Sequence, residues 1–116
     1  MEKNIVTNTV HPDSTSLEDK EGYAVGVDGV LTASTGDYVF GIVRTGRPAG
    51  EASEIITQGE VEARVDGSGT SVAVEDPLTG GADGKLVKAT IGTHIIRAIA
   101  KEAVTTDTTA QVVLLG

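Results

Sequence analysis

The sequence predicts an all-β protein: a compact β-barrel or β-sandwich of the tulip-like kind, preceded by an extended N-terminal arm. Three observations lead there. Glycine, valine and threonine each occur 15 times among 116 residues. Val and Thr are stiff at χ1 and suit pleated strands, while glycine supplies turns. Turn words such as Asp28-Gly29, Asp66-Gly67-Ser68-Gly69 and Thr79-Gly80-Gly81-Ala82-Asp83-Gly84 punctuate short apolar runs at regular spacing, as in a sandwich or barrel. The core must be aliphatic, because there is no Trp, one Phe and two Tyr.

The length suits one domain. Residues 1–21 are polar and acidic, with Pro12 and no sustained strand or helix period. Such a segment cannot offset its ordering entropy alone. It reads as an arm, ordered only where it meets a partner or the domain surface, with the β-domain beginning at Gly22 and running over residues 22–116. Ala24 to Val27 and Val30 to Thr32 flank Asp28-Gly29, which predicts a hairpin with a two-residue type I′ loop. Tyr38 to Val43 reads as a second strand region, and Gly46 to Gly50 as a loop. Glu51 to Thr57 reads as a strand. After Gly59, Val61, Ala63 and Val65 alternate with Glu60, Glu62 and Arg64, as a half-buried strand should.

Thr70 to Glu75 is expected as a strand stopped by Asp76-Pro77, because Pro cannot donate a ladder bond. Lys85 to Thr90 is the next strand. His94 to Val104 supports two readings. Ile95, Ile96, Ile99, Ala100, Ala103 and Val104 fall on one helical face, yet the segment is short and lies in an all-β chain. Thr105 to Thr109 reads as a polar turn and Ala110 to Leu115 as the closing strand.

Nine basic and 17 acidic residues give a net charge of −8, which opposes a primary role in gripping nucleic acid or anionic membrane. No apolar run reaches a membrane span, and Met1 to Val6 is not a signal-peptide stretch, so the chain is expected to be made in the cytoplasm. Cysteine is absent, which removes disulfides, thiolate metal sites and cysteine nucleophiles. His11 and His94 lie far apart, and no Gly-x-Ser-x-Gly elbow is present. Gly80 to Lys85 fails as a phosphate loop because its spacer is wrong and Leu86 stands where Ser or Thr is needed. Glu75, Asp76 and Asp83 lack the alternation of a calcium loop. The chain is therefore expected to be no enzyme and to carry no cofactor or metal. Two features suit a protein partner instead. Arg44 and Arg47 form a basic point on an acidic chain, and Ile5, Val6, Val10 and Leu17 punctuate the polar arm as a peptide laid on a neighbour would.

Val74-Glu75-Asp76-Pro77-Leu78-Thr79 followed by Ala82-Asp83-Gly84-Lys85-Leu86-Val87-Lys88-Ala89-Thr90 resembles the small capsid decoration (cement, or head-stabilisation) proteins of tailed bacteriophages. Ile99 to Ala103, Val112 to Leu115, Gly36 to Val43 and Gly59 to Val61 are similar to that family's other strands, in order. The resemblance implies a homotrimer on the outer surface of the phage head that clamps the major capsid protein. The long polar N-terminal run departs from the commonest members of that family, so Ile5, Val6, Val10, Leu17, Arg44 and Arg47 are expected as capsid contacts on their own chemistry and not from the resemblance. It also implies that Ile95 to Val104 is a strand. A binding module of the sandwich type, carbohydrate-binding or fibre-like, is the alternative; sugar platforms need exposed aromatic rings, and only Tyr23 and Tyr38 are available.

Overall fold

A computed structural model describes residues 3–12 and 15–115. Its strands are β1 (Lys3–Val10), β2 (Ala24–Val25), β3 (Gly41–Thr45), β4 (Ser53–Asp66), β5 (Pro77–Gly80), β6 (Leu86–Lys88), β7 (Ala98–Ala100) and β8 (Asp107–Leu114). One 3-10 turn spans Ala82–Gly84. Five strands close a barrel in the order β4, β6, β5, β7, β8 and back to β4. The β4–β6 contact is parallel and the other four are antiparallel.

The 14-residue β4 organises both halves of the fold. Its second half is barrel wall: Val61, Ala63 and Val65 are buried while Glu62 is exposed, the alternation the sequence predicts. Its first half carries β1 on Ser53 to Glu60 and β3 on Glu54 to Ile56, and β3 in turn holds β2. There Ile55 and Ile56 are both buried, facing different clusters. Ile56 joins Val61, Leu78, Leu86 and Val112 in the barrel interior. Ile55 joins Val10, Leu17, Val25 and Val43 in a second, smaller cluster outside it.

The two strands expected on either side of Gly59 are thus one. Thr57 is an extra residue in β4, between the Val6–Gln58 and Thr7–Ile56 pairs of the β1 ladder. The bulge bends the strand without ending it.

Other expectations shift for local reasons. The first hairpin turns through a three-residue loop. Gly29 N–H bonds Gly26 C=O at 3.0 Å and Gly26 N–H bonds Val30 C=O at 3.0 Å. Gly29 takes the left-handed conformation (φ 80°) while Asp28 does not, so the loop is longer than a type I′ pair. Thr70 to Glu75 is no strand; only Val72 bridges, to Val104. Asp76 instead draws residues 73–76 into a turn, accepting the Ala73 N–H at 2.8 Å. Pro77 begins β5 rather than stopping a strand, at the position where a missing N–H is tolerated.

Of the two readings of His94 to Val104, neither helix nor full-length strand is observed: only Ala98–Ala100 is strand. Ala98 and Ala100 are buried there, whereas Ile95 and Ala103, needed for the helical face, are exposed. The polar turn expected over Thr105 to Thr109 is partly ladder, since β8 already begins at Asp107.

Gly84 feeds β6 from the left-handed region (φ 72°), and a Cβ on it would come within 2.9 Å of Leu31 Cδ2. Gly69 has open space around it. Gly84→Val should therefore cost about 2 kcal/mol or more, while Gly69→Val should cost under about 0.5 kcal/mol. Thermal melts of the two variants check this: the Gly84 variant should melt lower by roughly 10 °C. Equal melting temperatures would remove the turn assignment.

Candidate interaction surfaces

The arm residues singled out by sequence divide in two. Val10 and Leu17 are buried in the second cluster, so a capsid-facing role expected for these two does not fit their placement. Each apolar side chain finds the domain's own surface first. Ile5 is half-buried against the barrel cluster, and Val6 stays 47% exposed. The rest of β1, Asn4 and Thr7 to Thr9, is exposed. Ordering eight residues costs on the order of 1–2 kcal/mol each, so β1 depends on its ladder to β4 and a few anchors. Asn8 Nδ2 donates to Thr57 Oγ1 at 3.0 Å, and Thr57 Oγ1 donates to Val6 C=O at 3.2 Å.

Leu17 is the deeper anchor. Its N–H donates to Arg47 C=O at 2.9 Å, and its carbonyl oxygen lies 1.7 Å from where a Cβ on residue 46 would stand. Gly46 is required by that approach, and its N–H donates to Glu21 Oε2 at 2.9 Å. The structure thus brings Leu17 and Arg47 together. Arg47 is exposed and Arg44 pairs with Glu54 at 3.3 Å. Glu18, Asp19, Glu21 and Glu51 are exposed in the same stretches of chain. This surface is acidic, with Lys20, Arg44 and Arg47 set in it.

A second surface was not singled out by sequence. Arg97 links three stretches: Nε donates to Val39 C=O at 2.9 Å, Nη2 to Phe40 C=O at 3.4 Å, and Nη1 to Leu115 C=O. Leu115 N–H returns a bond to Arg97 C=O at 2.8 Å. The guanidinium carbon sits 5.4 Å from the centroid of the Tyr38 ring, a cation–π distance. Tyr38, Ile95 and Leu115 are all exposed beside it. The loop before β7 closes on itself, with Thr90 N–H donating to His94 Nδ1 at 3.0 Å. The signal in the sequence was Ile91 and Ile95, large apolar residues in a Gly-Thr-rich loop; the helical reading absorbed Ile95 and left Ile91 unassigned.

The charged side chains between these ends are tied down. Asp107 receives Arg64 at 2.8 Å and Lys85 at 2.5 Å across the barrel wall. That contact with Asp107 raises the Lys85 pKa. Three carboxyls are held below the ordinary aspartate range by hydrogen bonds: Asp37 by the Ala33 and Ser34 N–H groups, Asp66 by the Ser68 hydroxyl and N–H, and Asp76 by the Ala73 N–H. These acids serve turns. Among the described residues no group of three His, Asp or Glu side chains converges as a metal-ligand set.

With that geometry in view, the fold is similar to one solved structure of note. The N base of the head fiber gp8.5 of bacteriophage phi29 matches with a TM-score of 0.56 and 20% sequence identity, over 96% of this chain and 94% of that chain. The shared feature is the fold. No protein-family model matches the sequence, and no curated protein matches it.

Two tests follow from this placement. Leu17→Ala should cost about 2–5 kcal/mol, as for a buried leucine elsewhere, while Val6→Ala should cost under about 1 kcal/mol; denaturant melts read both. The aspartates give the sign of the pH dependence. Their folded pKa values lie below the unfolded ones, so their contribution is complete above about pH 5 and is lost as pH falls through the folded values, under about 4. For Lys85 the contribution is lost only as pH rises past the ordinary lysine range. The melting temperature should stay level near neutrality and drop below about pH 4. Asp37→Asn should shrink that drop, and an unchanged acid profile in this variant would count against the turn role of Asp37.

Proposed function

We propose that the chain is a structural protein of the phage virion: a capsid decoration protein that sits as a homotrimer on the outer surface of the head and holds the major capsid protein lattice together. It acts by binding and carries out no reaction. The observation that carries the reading is the likeness of fold, over nearly the whole of both chains, to the base of a phage head fiber. Beside it stand the sequence motifs of the decoration proteins, whose residues shape the barrel here: Asp76 closes a turn, Pro77 starts β5, and Gly84 turns the chain into β6.

The physical chemistry agrees. A net charge of −8 is harmless outside a shell and unsuited to contact with packaged DNA. Many copies on one lattice reinforce it by multivalency even when each contact is weak. Val6, Ile5, Arg44 and Arg47 are the capsid contacts in this reading, since they remain wholly or partly accessible. The neighbour's own description favours a second reading, in which the domain is the base of a head fibre.

Mixing the purified protein with expanded, undecorated heads of its own phage tests both. A decoration protein should co-sediment with heads and raise the temperature at which they burst. Heads that bind the protein yet burst at the same temperature would support the fibre-base reading, and heads that bind none would refute both.

A further inference from the structure

The loop between β6 and β7 stands on two bonded feet. Ala89 N–H donates to Pro77 C=O at 2.8 Å and Arg97 N–H to Leu78 C=O at 3.4 Å, so both ends are tied to β5. Between them the chain closes a turn on itself. Thr93 and His94 N–H both donate to Thr90 C=O, at 3.1 and 3.0 Å, and Gly92 takes the left-handed conformation (φ 87°) at the tip. The return bond comes from the histidine ring: Thr90 N–H donates to His94 Nδ1 at 3.0 Å. The half-buried ring also abuts the turn at Gly36, where a Cβ would stand 3.0 Å from His94 Cδ2 and 3.5 Å from Nε2. That turn is anchored in its own right, with Gly36 N–H donating to Gly80 C=O at 2.9 Å. One side chain thus holds residues 90–94 closed and lays them on a neighbouring turn.

We propose that His94 makes this loop a pH-sensitive latch, closed by the neutral imidazole and released by the imidazolium. A backbone N–H can only donate, so Nδ1 must offer its lone pair and the neutral ring carries its proton on Nε2. The imidazolium has N–H groups at both nitrogens. Protonation therefore sets a donor against a donor, and the N–H of the exposed Thr90 passes to water. Imidazole is the side chain whose charge changes between about pH 5 and 8. The elements against the ring carry Asp37 and Tyr38 beside Gly36, and Lys88 and Arg97 on the loop's own flanks. Asp37 is occupied by the Ala33 and Ser34 N–H groups at 2.8 and 3.0 Å, and Lys88 by Asp76 at 3.4 Å. Arg97 is held by carbonyl oxygens and the Tyr38 ring. Among the described residues no ion pair includes His94, so no carboxylate stabilises the imidazolium in the closed loop. Release stays local, because the bonds that tie Ala89 and Arg97 to β5 join backbone groups that do not titrate. What it frees is the segment that carries Ile91 and Ile95, both exposed, together with the cover over Gly36. The latch is independent of the virion role.

The test follows amide hydrogen exchange by NMR in the full chain from about pH 8 to about pH 5, each rate divided by its intrinsic rate at that pH. His94→Asn and His94→Ala are measured beside it, with circular dichroism to verify folding. At about pH 8 the ring nitrogens should report the Nε2–H tautomer. Relative to its intrinsic rate, Thr90 N–H should exchange about tenfold faster at the acid end, the effect of losing one hydrogen bond. Ala89 and Arg97 N–H should stay within about twofold, as the feet of a local opening. His94→Asn keeps an acceptor oxygen at the position of Nδ1 and does not titrate, and His94→Ala has no acceptor. In both variants the Thr90 ratio should be flat with pH. An Nδ1–H tautomer at about pH 8, a flat Thr90 ratio in the unaltered chain, or a pH response that survives His94→Asn would each overturn the latch. Equal acceleration at Ala89 and Arg97 would place the change in the fold at large and overturn it as well.

Discussion

One extra residue in β4 sets the direction of everything packed against it. Ile56 and Val61 both face the barrel interior although they stand five positions apart, and strict alternation would send them to opposite faces. The bulge at Thr57 restores the match. It leaves Ile55 pointing away from the barrel, where Val10, Leu17, Val25 and Val43 gather around it. The bulged residue is fixed by β1, because Thr57 Oγ1 bonds both Asn8 and the Val6 carbonyl. The exposed N-terminal strand therefore secures the point at which one long strand changes its role from barrel wall to the shared wall of two clusters.

Which parts of this were legible in the sequence follows from the range of the forces involved. The alternation of Val61, Ala63 and Val65 is a local signal, and it places the barrel wall directly. The left-handed turn at Asp83-Gly84 is equally local, as is the all-β class. The continuity of β4 across Gly59 was not readable, because nothing in the residues around Thr57 marks a bulge, which appears only in the register of the paired β1. The first 21 residues illustrate the same limit. Their apolar residues are too sparse to show a period, yet Leu17 finds a fitted site at Gly46 and Arg47, some 30 positions away in the chain. Between Ile95 and Val104 the helical spacing of apolar residues is real but unused: Ala98 and Ala100 supply the buried face of a short strand, and Ile95 is left outside. Of the proposed capsid contacts, the sequence could offer chemical type for Arg44 and Arg47, but burial, which separates Val6 from Val10, is a tertiary property.

The charged residues define two unlike surfaces. At one, Leu17 and Arg47 are joined through their backbones while acidic side chains surround Arg44 and Arg47. At the other, Arg97 satisfies three carbonyl groups and carries an exposed ring. An acidic surface with embedded cations is suited to a partner of complementary pattern.

The contacts of Arg97 also bear on why Tyr38 and Ile95 stay outside so small a core. An aliphatic core with 22 buried hydrophobic residues among those described, and few aromatic rings, stabilises a chain of this length only modestly. Enlarging that core would require burying Tyr38, Ile91 and Ile95 within the subunit. Arg97 works against that. By bonding the carbonyls of Val39, Phe40 and Leu115 it holds the loop before β7 against the chain end and the approach to β3, and with the backbone fixed there the apolar side chains face outward. Burying those side chains would then take contact with another molecule, and any molecule that binds the folded chain there adds to its stability by mass action.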